Sequence, residues 1–217
     1  MNEAYATLVR TLSALSVSAW GIADTRRLSP LCGEYPSALS IMLAYEPPSR
    51  PDDEETFFHI LEDVRSRMSQ ITAYVSRFLD RRDISHAVVP QGGQDQKTLK
   101  ACFSHKSAAV LAGLGWIGKN CLFVTPEFGP RVSLATILIG RRLPPGTPIT
   151  KSLCGTCAAC VEACPGRFIT GLPWRPGTPR ENLLDAHRCN NFREGFWPLL
   201  GRKSECGRCL LVCPQGR

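Results

Sequence analysis

The chain has 217 residues, 43% of them hydrophobic, with 26 Lys/Arg against 19 Asp/Glu, a formal charge of +7 and eleven cysteines. That is enough apolar material for one ordinary domain and a small second one, and no run approaches the roughly 18 apolar residues of a membrane span. The basic excess is local: residues 1–150 hold 16 Lys/Arg against 14 Asp/Glu, whereas 151–217 hold 10 against 5 alongside eight of the cysteines, where anionic thiolates would offset it, so a general nucleic-acid surface does not follow.

Residues 3–18 read as an amphipathic helix with Leu8, Leu12 and Leu15 on one face. Glu3 precedes Arg10 and no basic n-region opens the chain, so this is not a secretory leader and a cytoplasmic protein is expected. AWGIAD and ALSIMLAY (38–45) read as strands, and EPPSRPDD as a linker. From 53 to 82 the apolar positions Phe57, Leu61, Val64, Met68, Ile71, Val75 and Phe78 recur at steps of three and four, one stripe of a long helix. HAVVP (86–90) is a strand, HKSAAVLAGL (105–114) a helix, and CLFVTPEFG and VSLATILIG two β-rich runs. RRLPPGTPIT marks a boundary, which divides the chain into 1–145 and 146–217.

Within AGLGWIGKN, residues 113–119 match both G-x-G-x-x-G and G-x-x-x-x-G-K. A nucleotide loop needs strand, glycines, then helix, so that phosphate meets a helix N-terminus. The order here is helix, glycines, strand, and Asn120 stands where a P-loop needs Ser or Thr, so nucleotide binding is not expected.

Eleven cysteines suit either a disulfide scaffold or thiolate ligands. Cys32, Cys102 and Cys121 are scattered and read as core or loop thiols, but Cys154, Cys157, Cys160 and Cys164-Pro165 follow C-x2-C-x2-C-x3-C-P, the bacterial ferredoxin run. Cys206, Cys209 and Cys213-Pro214 form a second run one cysteine short, and Cys189 is the replacement; His187 beside it reads as a surface or packing histidine. In such runs the cysteine before proline serves the other cluster, so one cluster takes Cys154, Cys157, Cys160 and Cys213, and the other Cys164, Cys189, Cys206 and Cys209. Zinc, the rival, would leave the third cysteine of the run and both Cys-Pro cysteines without a purpose.

The glycine loop, the first cysteine run, the lone Cys189 and CGRCLLVCP together resemble the epoxyqueuosine reductases and their shorter relatives, from about residue 38 to the end. The resemblance implies an α/β (α+β) corrinoid-reductase-like domain with a mixed sheet flanked by helices, followed by a small ferredoxin-like domain with two [4Fe-4S] clusters. It also implies a cobalamin in the first domain, fed by the clusters, with Gly113, Leu114, Gly115, Trp116, Ile117, Gly118, Lys119 and Asn120 against the corrin or the substrate. No D-x-H-x-x-G is present, so the corrinoid is expected base-off. The family's acidic proton donor falls at Leu99 here, which leaves Asp95, His105 and Lys106 as candidates, His105 first because its pKa is ordinarily near neutral. The implied activity is reduction of a substrate of unknown identity by a monomer drawing on a donor such as ferredoxin or flavodoxin. The alternative is an electron-transfer or corrinoid-reducing partner without substrate chemistry of its own. The chain stops four residues after Cys213 without the family's helical-repeat region, so tRNA recognition is not expected.

Overall fold

A computed structural model of the chain describes residues 3–28, 32–49, 53–92, 95, 97–101, 103–196 and 206–216. Four strands, β1 (Ala19–Asp24), β2 (Ser37–Ala44), β3 (His86–Val88) and β6 (Val132–Ile139), form one sheet in the order β1-β2-β6-β3. A hairpin of two short strands, β4 (Trp116–Ile117) and β5 (Phe123–Val124), stands apart from it.

Alternation along the central strands sets the layers. Leu39, Ile41 and Leu43 of β2 and Ala135, Ile137 and Ile139 of β6 pack against α1 (Glu3–Ala14) and against Val64, Met68, Ile71, Val75, Phe78 and Leu79 of α2 (Glu54–Asp80). The alternate residues Ala38, Met42 and Leu138 face α3 (His105–Leu111) and the hairpin. Small side chains on that second face, Ala108 and Ala112 of the α3 segment against Ala23 and Ala38, and Ala109 against Met42, let the short helix lie close to the sheet. Five residues of the seven-residue stripe read from the sequence, Val64 to Phe78, face the sheet, whereas Phe57 and Leu61 at its start pack with Leu210, Leu211 and Leu122; the helix start is capped by the Asp53 carboxylate accepting from the Thr56 amide at 3.1 Å.

The expected sheet flanked by helices is present, but its strand directions are not mixed. Every pairing, β1 with β2, β2 with β6 and β3 with β6, is antiparallel. Strands β2 and β3 run the same way, as a helical crossover requires, yet β6 inserts between them in the opposite sense. The first helix also ends before residue 18: Ser16 turns to φ 49°, and the Ser18 hydroxyl accepts from the Ala44 amide at 2.8 Å, which hands the chain to the sheet.

The segment after β6 stays on this unit. Leu143 N donates to Ser37 Oγ (2.9 Å), Gly146 N to the Ile22 carbonyl (2.8 Å) and Ile149 N to the Val110 carbonyl (3.2 Å). Beyond it, the described residues from 151 to 216 are mostly loop, with α4 (Ala159–Glu162), α5 (Ala186–Phe196) and α6 (Arg208–Leu211). No helix among the described residues is long and apolar enough to cross a membrane.

Ile137 is fully buried between α2 and the sheet. Ile137→Ala is expected to lower stability by about 2–5 kcal/mol, read from denaturant unfolding of the anaerobic protein.

Candidate functional site: two thiol groups, a hairpin and a cavity

The glycine segment first ends a helix. Gly113 sits at φ 80°, its amide donates to the Val110 carbonyl (3.1 Å), and the Leu114 amide donates to the Ala109 carbonyl (3.0 Å). This is a Schellman cap at the C-terminus of α3, where carbonyls rather than amides face outward, so the double phosphate-loop match is a helix stop.

The rest of the segment builds the β4–β5 hairpin. Gly118 N donates to the Leu122 carbonyl (2.8 Å), and Cys121 takes φ 60° to close the loop Lys119-Asn120-Cys121. That tip is buried in the cysteine-bearing unit. Lys119 Nζ donates to the Cys157 carbonyl at 2.8 Å, and Asn120 Nδ2 donates to the Cys209 carbonyl at 3.0 Å while its Oδ1 accepts from the Leu122 amide. A Cβ at Gly118 would stand 2.7 Å from Asn120 Oδ1, 2.9 Å from Val124 and 3.6 Å from Cys154 Sγ. Arg131 completes the junction by donating to the carbonyls of Gln215 (3.2 Å) and Gly216.

Of Gly113–Asn120, read from the sequence as facing a corrin, most are therefore occupied by protein. Gly113 is against Thr147, Gly115 against the Val124 carbonyl, Trp116 is buried, and Lys119 and Asn120 hold cysteine-loop carbonyls. Ile117 lines a cavity on the α3 side, and Asn120 lines another among the cysteines. Close approach is what these glycines permit: backbone meets Gly113 and Gly115, and side chains meet Gly118.

None of the ten described cysteines is in a disulfide, and Cys102 lies outside the described residues. Cys32 is a core thiol, as read from the sequence, and His187 is exposed. The remaining thiols other than Cys121 crowd into two groups. Burial and then Cys154, Cys213 and Cys157 push the Cys160 thiol up to about 11, and burial also raises Cys213, which has Cys154 and Cys157 as neighbours. Burial and then Cys206, Cys189, Cys160 and Cys164 push Cys209 up to about 12, and burial raises Cys189 beside Cys164 and Cys206. Cys164, Cys189, Cys206 and Cys209 line one cavity of about 330 Å³, and the Phe168 amide donates to Cys164 Sγ at 3.3 Å.

Such thiols ionise together only around a positive core that replaces their protons. Among the described residues no three His, Cys, Asp or Glu converge on a single-ion position. A cubane asks for something wider, since each thiolate binds a different iron. The donor set therefore fits [4Fe-4S] chemistry.

A second cavity, of about 460 Å³, opens where α3 and the loop before it meet residues 174–183. His105 and Lys106 line it, as do Leu99 and Cys121. His105 Nε2 donates to the Pro90 carbonyl (3.3 Å), which leaves Nδ1 to accept from the Thr136 hydroxyl (2.9 Å), so the neutral ring has both nitrogens engaged. Lys106 Nζ donates to the Cys121 carbonyl (2.7 Å) and lies 3.8 Å from Cys121 Sγ. Asp95 is not on the cavity wall: its exposed carboxylate accepts from the amide (2.7 Å) and hydroxyl (2.8 Å) of Thr98, which hold it well below the usual carboxylate range. Arg180, which no sequence pattern singled out, donates to the Leu99 (2.6 Å) and Thr98 (2.7 Å) carbonyls and fixes Leu99 at φ 52°.

A family model for a 4Fe-4S dicluster domain matches residues 153–217. The epoxyqueuosine reductase of Bacillus anthracis is 30% identical over 170 residues, 74% of this chain and 39% of that protein, and the Bacillus subtilis enzyme is 36% identical over 123 residues. The chain belongs to the epoxyqueuosine reductase-like family. Among solved structures, an epoxyqueuosine reductase with an epoxyqueuosine-modified tRNA-Tyr stem loop superposes with a TM-score of 0.62 at 22% identity, over 98% of this chain and 65% of that one. A catabolic reductive dehalogenase superposes at 0.72 and 16% identity, over 97% and 31%. These two show the fold. The epoxyqueuosine reductase-like chain spans about two fifths of the length of the Bacillus anthracis relative.

Two measurements check this geometry. Asn120→Ala leaves the Cys209 carbonyl without its donor and is expected to cost about 1–3 kcal/mol, read as a lower unfolding midpoint of the iron-loaded protein. Burial pulls the His105 pKa below 6.5. The unfolded chain thus binds more protons in acid, and the stability His105 contributes is full above about pH 6.5 and lost as pH falls below it. An NMR titration should place its midpoint below 6.5, and His105→Gln should flatten the stability slope in that window.

Proposed function

We propose that the chain is an iron-sulfur reductase in which two [4Fe-4S] clusters, one on Cys154, Cys157, Cys160 and Cys213 and one on Cys164, Cys189, Cys206 and Cys209, serve chemistry at the α3-side cavity. The observation that carries this is adjacency. Gly118 lies against Cys154 Sγ, and its chain neighbour Ile117 lines the cavity, so one residue separates a first-group thiol from the cavity wall. On this reading 1–145 is the substrate unit and 146–217 the electron-carrying unit, reduced by a donor such as ferredoxin or flavodoxin.

A cobalamin is the second cofactor of the proposal, supported by the likeness of the fold to a reductive dehalogenase and by an open cavity beside the thiols with an apolar wall. It would supply strongly reducing, nucleophilic cobalt chemistry, with Ile117, Leu99 and Phe103 offering apolar contacts. Lys106 is the proton-holding group best placed for the reaction, because its ammonium lies on the cavity wall against a neutral carbonyl. His105 holds its ring between Pro90 and Thr136 and positions the start of α3 instead. A second reading, an electron-transfer partner that reduces another protein's corrinoid, is favoured by one observation: a leucine stands at 99, where the family resemblance expects a carboxylate.

Anaerobic reconstitution tests the proposal. About eight irons per chain are expected, in line with two 4Fe-4S clusters, and Cys189→Ser should retain about half. Added cobalamin should bind with a changed visible spectrum; failure to bind would leave only the electron-transfer reading.

A further inference from the structure

We infer that the cavity beside Lys106 takes an organic anion with a flat apolar body. The inference rests on the proposed function in treating this cavity as the place of reduction, and it names the class of molecule reduced.

Charge and shape carry it. Lys100, Lys106 and Arg180 all line the cavity, and among the described residues on its wall there is no Asp or Glu. One carboxylate, Glu181, stands outside and answers two of the three, Lys100 at 2.9 Å and Arg180 at 3.4 Å. The Lys100–Glu181 pair is half exposed and weakly coupled, so it belongs to the rim. Deeper in, Lys106 meets a neutral partner, the Cys121 carbonyl, and Arg180 adds the Leu99 and Thr98 carbonyls to its longer contact with Glu181. Arg180 Nε is buried with no hydrogen-bond partner, a donor whose desolvation is left uncompensated until an acceptor reaches it. Ser104, Ser107 and Thr178 add hydroxyls to the wall, and Phe103 and Trp174 add aromatic surface.

Leu99 completes the picture. A carboxylate there would stand on this wall and repel an anion; an apolar side chain removes the repulsion and widens the greasy side. Two charges of one sign beside aromatic walls select a carboxylate or phosphate monoester on a ring over a neutral or cationic ring, because a neutral ligand leaves the ammonium and the guanidinium less well paired on burial.

The test compares 1-naphthoate with its neutral isostere 1-naphthamide by calorimetry on the anaerobic, iron-loaded full chain, without reductant. Naphthoate should bind at least about tenfold more tightly, Lys106→Met should remove most of that preference, and Lys106→Arg should restore it. Equal affinities for the two probes, or a preference that survives Lys106→Met, would overturn the inference without using any variant that must turn over substrate. The repeat with saturating cobalamin decides whose anion the cations serve. Naphthoate binding that persists supports a substrate anion; stoichiometric displacement assigns the cations to the cofactor's own phosphate and overturns the substrate class. Since none of this needs electron flow, failure here and failure of cluster or corrinoid loading are separately visible.

Discussion

Side-chain hydrogen bonds to backbone carbonyls join the halves of this protein, those of Lys119 and Asn120 together with those of Arg131 and Arg180. Lys119 and Asn120, at the tip of one small hairpin, donate to the backbone carbonyls of Cys157 and Cys209, one in each thiol group. A carbonyl can be held in this way only if its loop has a fixed path, and the paths of these loops are set by what their sulfurs bind. The hairpin's tip is therefore tied to the metal-binding loops and those loops to the tip, while Ile117 and Phe123 also pack with Met42 and Ala109 on the sheet side. Hydrogen bonds from a charged donor contribute about 1.5–3 kcal/mol, enough to orient a loop and too little to build one. Building it falls to the clusters.

The electrostatics point the same way. Burial raises four of these thiols, Cys160 and Cys213 in one group and Cys189 and Cys209 in the other. Iron replaces the protons and removes the penalty in one event, which couples metal loading to folding of residues 151–216. The main core of the sheet has no such dependence, since it is closed by apolar residues of the first unit, and only the start of α2 reaches over, through Phe57, to Leu210 and Leu211. One chain thus combines a unit that folds by burial with a unit that folds by ligation, and the hairpin bridges them.

Much of this was legible in the sequence. The stripe on α2, the strand at 19–24 and the start of α3 follow from periodicity and glycine placement, although α3 ends at Leu111 rather than 114, and the cysteine runs name their chemistry through spacing that few other sites share. The glycine segment was legible in one respect: helix before glycines excluded a phosphate loop, and the Schellman cap is the reason. What it approaches was not, because Gly118 and Asn120 meet residues 36 and 89 positions away and no local pattern encodes such a distance. The strand directions escaped for a similar reason. A helical crossover between β2 and β3 suggests parallel neighbours, and only the tertiary fold shows β6 inserted between them. Arg180 sits in PGTPRENLL with no periodicity at all, yet it holds the loop that forms one wall of the cavity. His105 was chosen for its ordinary pKa, and what the sequence did not show is its surroundings: it lines the cavity beside Lys106, but burial and two hydrogen bonds hold its ring.

Hydrogen–deuterium exchange on the anaerobic chain, before and after iron is stripped by a chelator, tests the dependence most directly. The account predicts that residues 116–124 lose protection together with 154–164 and 206–213 on stripping, while β2 and β6 keep theirs. Protection of 116–124 that is indifferent to iron would show the hairpin held by the sheet alone, and would contradict the account.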